Sequence, residues 1–163
     1  MLFWFVATSV LTIVWVFRDP RFDYRFLIAG ALLPDLIDAF AGKSWAMHSL
    51  PVAVGLMTVV MLATIGRRPV RKKLLAIPIG VMLHLVFDGA FSTTEVFWWP
   101  FTSGFGDHPL PVVARGWWNV LFEAAGLGML WWAYGRFGLA RSDRRDAFRS
   151  AGHLTEVAPP SSR

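Results

Sequence analysis

The 163-residue chain contains no cysteine, so a disulfide framework and a thiolate metal site are both excluded. Any metal must be held by His, Asp or Glu, which favours zinc, manganese, iron or magnesium over soft-metal chemistry. Charged residues make up only 17% of the chain. The first seventeen residues, MLFWFVATSVLTIVWVF, lack a basic n-region and a small-residue cleavage site, so they read as a retained first helix rather than a cleaved signal peptide. No internal repeat is evident.

What is present is apolar: 55% hydrophobic residues, nine Trp, fourteen Phe and a mean hydropathy of +0.49. That composition predicts a small polytopic membrane protein. Five apolar segments are expected to be helical: Leu2 to Phe17, Phe26 to Phe40, Ser49 to Ile65, Leu74 to Phe91 and Trp117 to Tyr134. The fold class expected is therefore all-α, a polytopic membrane helix bundle of about five transmembrane segments. Pro34 forfeits a backbone hydrogen bond and should break the second of them. The Trp-rich runs FWWPF and Trp117-Trp118 fit an outer interfacial belt.

The formal net charge is +5, but the Lys and Arg residues sit in short clusters beside apolar segments. This is the pattern of topology signals and lipid-headgroup contacts, and it argues against a nucleic-acid partner. The clusters after the first, third and fifth segments fall on one side, which predicts a multi-pass plasma-membrane protein with its N-terminus outside and its C-terminus cytoplasmic. Residues 1–134 would form the bundle with an outward-facing polar site. Residues 135–163 would form a basic cytoplasmic tail, a short helix followed by disorder.

His84 and Asp88 lie four residues apart, on one helix face, within LLAIPIGVMLHLVFDGAF. Ionisable groups in such a segment are costly and mark a site. Asp35 and Asp38, in LLPDLID, share a face if that helix continues; otherwise they are turn or cap residues. His48 and Ser49 open the third segment in MHSLPVAV, where Ser49 is a plain N-cap candidate with Pro51 in the first turn. Glu123, in NVLFEAAG, is a lone acid that could serve as ligand, orienting partner or general base, or simply bridge two helices. At a rise of 1.5 Å per residue Asp35, Asp38, His48, His84, Asp88 and Glu123 all lie about 15 to 28 Å from the basic clusters. Four segments thus bring acids and histidines to one layer. Asp107 and His108 in FTSGFGDHPLP are weaker candidates, since an Asp-His before Pro is more often a solvated turn.

The order LLPDLID, then MHSL, then LHLVFDGAFSTTEVFWWPF resembles the YdjM-type family of membrane-bound, metal-dependent hydrolases over roughly Gly30 to Phe101. The resemblance matches Asp35 and Asp38 to an acidic motif, His48 and Ser49 to a Thr-His-Ser motif, and His84 and Asp88 to a His-x-x-x-Asp motif. The chain departs from that pattern in having no His before His48 and one extra residue between the two Asp. The resemblance implies a divalent metal, zinc first with manganese or magnesium as alternatives, held by Asp35, His48, His84 and Asp88. Asp38 or Glu123 would then take a proton or orient the ligands. The expected function is hydrolysis of an ester or phosphoester in a lipid-like substrate reached from the outer side, with membrane lipid as partner. Two rivals stay open: a proton or ion relay, and a non-enzymatic membrane protein whose polar cluster serves packing.

Overall fold

The computed structural model describes residues 1–19, 22–104 and 115–155, and among them helix is the only regular secondary structure. Helix α1 runs Leu2–Phe17 and ends where Arg18 adopts a left-handed conformation. Helix α2 spans Tyr24–Ala41; the Asp23 carboxylate caps it by accepting the Arg25 N–H, and Gly42 closes it at φ 68°. A 3-10 turn over Ala46–His48 leads into α3, Leu50–Ala63. Then follow α4 (Arg68–Leu74), α5 (Ala76–Asp88), a second 3-10 turn over Ala90–Ser92, α6 (Thr94–Phe97), α7 (Trp118–Arg136) and α8 (Ser142–Ala151).

The most extensive packing is α2 on α5, with α1 lying against α7 and α2. The α2–α5 contact depends on two glycines. A Cβ on Gly30 would fall on the Ile77 carbonyl, and one on Gly80 would fall on the Leu27 carbonyl, so the two backbones touch where no side chain intervenes. Val10, Ile13, Tyr24, Leu27, Ala133 and Phe137 fill the core on one side of this crossing. A smaller cluster of Ala53, Val81, Leu85 and Ala90 closes the other. The crossing also sets the α2 and α5 acids and histidines side by side.

Two expectations are corrected here. Among the described residues no helix is long and apolar enough to cross a membrane. The polytopic bundle of about five transmembrane segments, the multi-pass plasma-membrane location and its N-outside orientation therefore do not hold. The reason lies in length and composition together: a span needs about 20 predominantly apolar residues. Helices α1, α3 and α5 stop at 16, 14 and 13 residues. The expected fourth segment is divided at Leu75 into α4 and α5 and turns at Gly89. Helix α2, with 18 residues, carries Arg25, Asp35 and Asp38, while α7, with 19, is diluted by Asn119, Glu123 and three glycines. The aromatic belt loses its basis with the bundle, and Trp15, Phe40, Phe101 and Trp131 remain exposed large side chains.

The second correction concerns Pro34, which sits buried inside an unbroken α2. One missing N–H costs the helix a bond, but the α2–α5 packing on either side of it carries the helix through.

The tail is partly built into the fold. Helix α8 docks on the start of α2: the Tyr24 N–H donates to the Gly152 carbonyl at 2.9 Å, and Arg25 Nη1 donates to the Arg149 carbonyl at 2.6 Å.

Candidate metal centre

Asp38 organises the site from the wall of α2. Its side chain is fully buried, and it accepts the backbone N–H of Trp45 at 2.7 Å and that of Met47 at 3.4 Å. Those two bonds fold the segment after α2 into the 3-10 turn that returns His48 to the helix it came from. Asp38 Oδ2 then lies 2.6 Å from His48 Nδ1. With a proton on Nδ1 shared with the carboxylate, Nε2 is left as the free lone pair, pointing inward.

His84 is oriented by a different device. Its Nδ1 lies 2.7 Å from the Ala31 carbonyl on α2, which can only accept, so Nδ1 carries the proton and Nε2 again faces inward. The ring of Phe5 from α1 covers it, centroids 3.9 Å apart. Burial, and then the neighbouring His48 charge, push the His84 pKa down to about 4. It is therefore neutral and ligand-ready across the physiological range. His48 behaves in the opposite way: burial works against its charged form, but the Asp38 hydrogen bond and the charges of Asp88, Asp38 and Asp35 together raise its pKa. Asp35, about one-third exposed at the mouth, has its pKa raised by burial despite the lowering influence of His48.

The inward-facing atoms converge. His48 Nε2 and His84 Nε2 lie 3.4 Å apart, and Asp35 Oδ1 lies 3.7 Å from the first and 3.6 Å from the second. Asp35, His48 and His84 form a group that could hold a metal ion, with donor atoms all within 4.8 Å of one another. Metal–ligand bonds of about 2.1 Å in a tetrahedral site place donors roughly 3.4 Å apart, so the three observed separations need only a few tenths of an ångström of closure. Two imidazoles and a carboxylate, each imidazole held by a hydrogen bond on its far nitrogen, are a borderline-metal donor set.

The remaining candidates fall into distinct places. Asp88 is 2% exposed and reaches the edge of the group, its Oδ2 lying 3.8 Å from His48 Nε2. Asp38 touches the group only through His48. Glu123 does not join it: Oε2 accepts the Phe3 N–H at 2.8 Å and Oε1 lies 3.5 Å from the Met1 amine, which ties α7 to α1. Ser49 occupies the N-cap position of α3 but makes no cap bond; its hydroxyl donates to the Trp99 carbonyl at 2.5 Å. Asp107 and His108 lie outside the described residues. No protein-family model, curated protein or solved structure matches this chain.

Three participants have no counterpart in the sequence reading. Arg115 donates from Nη1 to Asp88 Oδ1 at 2.9 Å and from Nη2 to the Asp88 carbonyl. Arg115 and Lys43 are the two cations outside the basic clusters, and an isolated cation of that kind is the natural partner of a buried acid. The Ala31 carbonyl and the Phe5 ring carry no chemical signature in a sequence, because their role comes entirely from the helix crossing.

The Asp38–His48 contact yields a prediction. Replacing Asp38 by Ala is expected to weaken zinc binding by about 10- to 100-fold, the usual effect of losing a carboxylate behind a ligating histidine. Competition against a chromogenic chelator reads this directly, and unchanged affinity would show that His48 is oriented without it.

Proposed function

We propose that this protein is a metal-dependent hydrolase acting on an ester or phosphoester, with zinc as the metal. The observation that carries this reading is the convergence of Asp35 Oδ1, His48 Nε2 and His84 Nε2 within 3.4 to 3.7 Å of one another, both imidazoles held in the ligating tautomer. Three protein donors with one side left open is the arrangement of catalytic rather than structural zinc sites. When bound, such an ion polarises a phosphoryl or carbonyl oxygen and makes water nucleophilic at neutral pH. The chain's own contribution is to hold the donors in place: Asp38 fixes the Nδ1 side of His48, the Ala31 carbonyl fixes that of His84, and Phe5 excludes water from the His84 ring.

Trp45, whose backbone N–H is bound by Asp38, is 42% exposed beside the site and favours a substrate with an apolar part. An amphiphilic phosphoester would meet this ring with its chain and the polar group with its head. The resemblance to YdjM-type hydrolases points the same way, by analogy of motif.

Elemental analysis of the purified protein tests the reading, followed by hydrolysis of bis(p-nitrophenyl) phosphate with and without a chelator. One equivalent of zinc per chain is expected, together with turnover that stops on chelation and returns with zinc. A well-folded protein that takes up no metal on reconstitution would sink the proposal.

A further inference from the structure

Asp88 is the one buried carboxylate of this region with an oxygen left over. Its Oδ1 is bound by Arg115 Nη1 at 2.9 Å, and the same guanidinium donates through Nη2 to the Asp88 main-chain carbonyl. Its Oδ2 is buried without a hydrogen-bond partner among the described residues. An unpaired carboxylate oxygen in such a place is costly unless something not yet present meets it. The two-pronged grip of Arg115 on side chain and main chain keeps the carboxylate from turning to satisfy Oδ2 elsewhere.

The direction in which Oδ2 points is informative. It lies 3.8 Å from His48 Nε2, yet the set of donors within 4.8 Å of one another is Asp35, His48 and His84. Asp88 therefore stands beside the triad rather than in it, at its His48 edge. We infer that Asp88 is a proton acceptor for the attacking water and not a fourth metal ligand, with Arg115 as the positioning residue that aims it. This rests on the hydrolase reading above. In the step it implies, Asp88 Oδ2 takes a proton from water while the water oxygen bonds to phosphorus and the P–O bond to the leaving group breaks. The proton then passes from Asp88 to the leaving oxygen. Were Asp88 a ligand instead, four protein donors would close the site, as in structural zinc centres.

The two roles separate experimentally. Asp88→Asn, Arg115→Gln, Arg115→Lys and Asp35→Asn are each loaded with cobalt(II) in place of zinc, and the visible absorption and chelator-competition affinity are recorded. Turnover of bis(p-nitrophenyl) phosphate by the zinc forms follows. The inference expects Asp88→Asn to keep its cobalt spectrum and an affinity within a few-fold of wild type, whereas Asp35→Asn loses both. The kcat of Asp88→Asn should fall by about 10²–10⁴-fold with little change in KM, the usual weight of a general base. Arg115→Gln should share that kcat loss, and Arg115→Lys should restore part of it, which a merely structural role would not do. Loss of cobalt from Asp88→Asn would make Asp88 a ligand and overturn the inference, as would full turnover by a metal-loaded Asp88→Asn. Should Arg115→Gln fail to fold, the isosteric Asp88→Asn still decides. A folded wild-type protein without metal sinks the hydrolase reading itself, while the cobalt comparison settles the ligand question even where the phosphodiester is not turned over.

Discussion

Purified His84→Ala protein should contain no stoichiometric zinc, and its affinity in a chelator competition should be at least about 100-fold below wild type, close to 3 kcal/mol of binding free energy. The expectation follows from how the fold prepares His84. The ring is fully buried, its Nδ1 is occupied by the Ala31 carbonyl, and its pKa of about 4 keeps Nε2 free of a proton. Removing a buried ring also leaves a cavity, so reduced stability alone would mimic the result. Asp35→Asn supplies the control, because Asp35 is about one-third exposed and outside the core. It should lose the metal while its melting temperature stays close to wild type. Retention of zinc in both variants would mean that the metal sits elsewhere.

The same site predicts how binding depends on acidity. Metal must displace any proton on a ligand nitrogen. His84 has none to displace above about pH 4, but His48 has its pKa raised by its carboxylate neighbours, so near neutrality part of the apo protein carries a proton there. Zinc affinity should then fall about tenfold for each unit the pH drops below the His48 pKa, one proton being released per metal bound.

The acids and histidines were legible in the sequence because spacing places them: Asp35 with Asp38 on α2, His84 with Asp88 on α5, and His48 just ahead of α3. Their division of labour was not. The sequence leaves Asp38 to take a proton or to orient the ligands; in the fold its carboxylate lies against His48 Nδ1 and two backbone amides. Glu123 looked equivalent to the others because it lies at a similar helical distance, but which way a side chain faces depends on the packing of α7 on α1. The fold class was half legible. Helical periodicity and the helix at 2–17 follow from local pattern, while the inference of membrane spans treated apolar content as continuous length. Gly89, Leu75 and the acids of α2 interrupt that length, and hydropathy summed over a segment hides such interruptions.

Gly80 is the position where a single added methyl group should do the most damage to fold and site together. A Cβ there would lie on the Leu27 carbonyl and the Ala31 amide, and neither is a side chain that can swing aside. Gly80→Ala must therefore push α5 off α2, and the displacement bears on the Ala31–His84 hydrogen bond one turn away. Overpacking of this kind typically costs about 1 to 3 kcal/mol, and backbone-on-backbone contact places Gly80→Ala at the upper end, with Gly80→Val beyond it. The comparison that makes this specific is Gly55→Ala on α3, where nothing lies within 4 Å of the added Cβ. That variant should gain about 0.5 to 1 kcal/mol from helix propensity alone. Denaturant unfolding of the two proteins should thus move in opposite directions, and zinc affinity should fall only in Gly80→Ala. Gly30→Ala meets the same crossing from the other helix, so the double variant Gly30→Ala/Gly80→Ala should lose less than the sum of the singles, because helices already forced apart accommodate the second methyl more cheaply. Strict additivity would instead show that the two glycines relieve separate contacts, and that the α2–α5 crossing is not the single element holding the donors together.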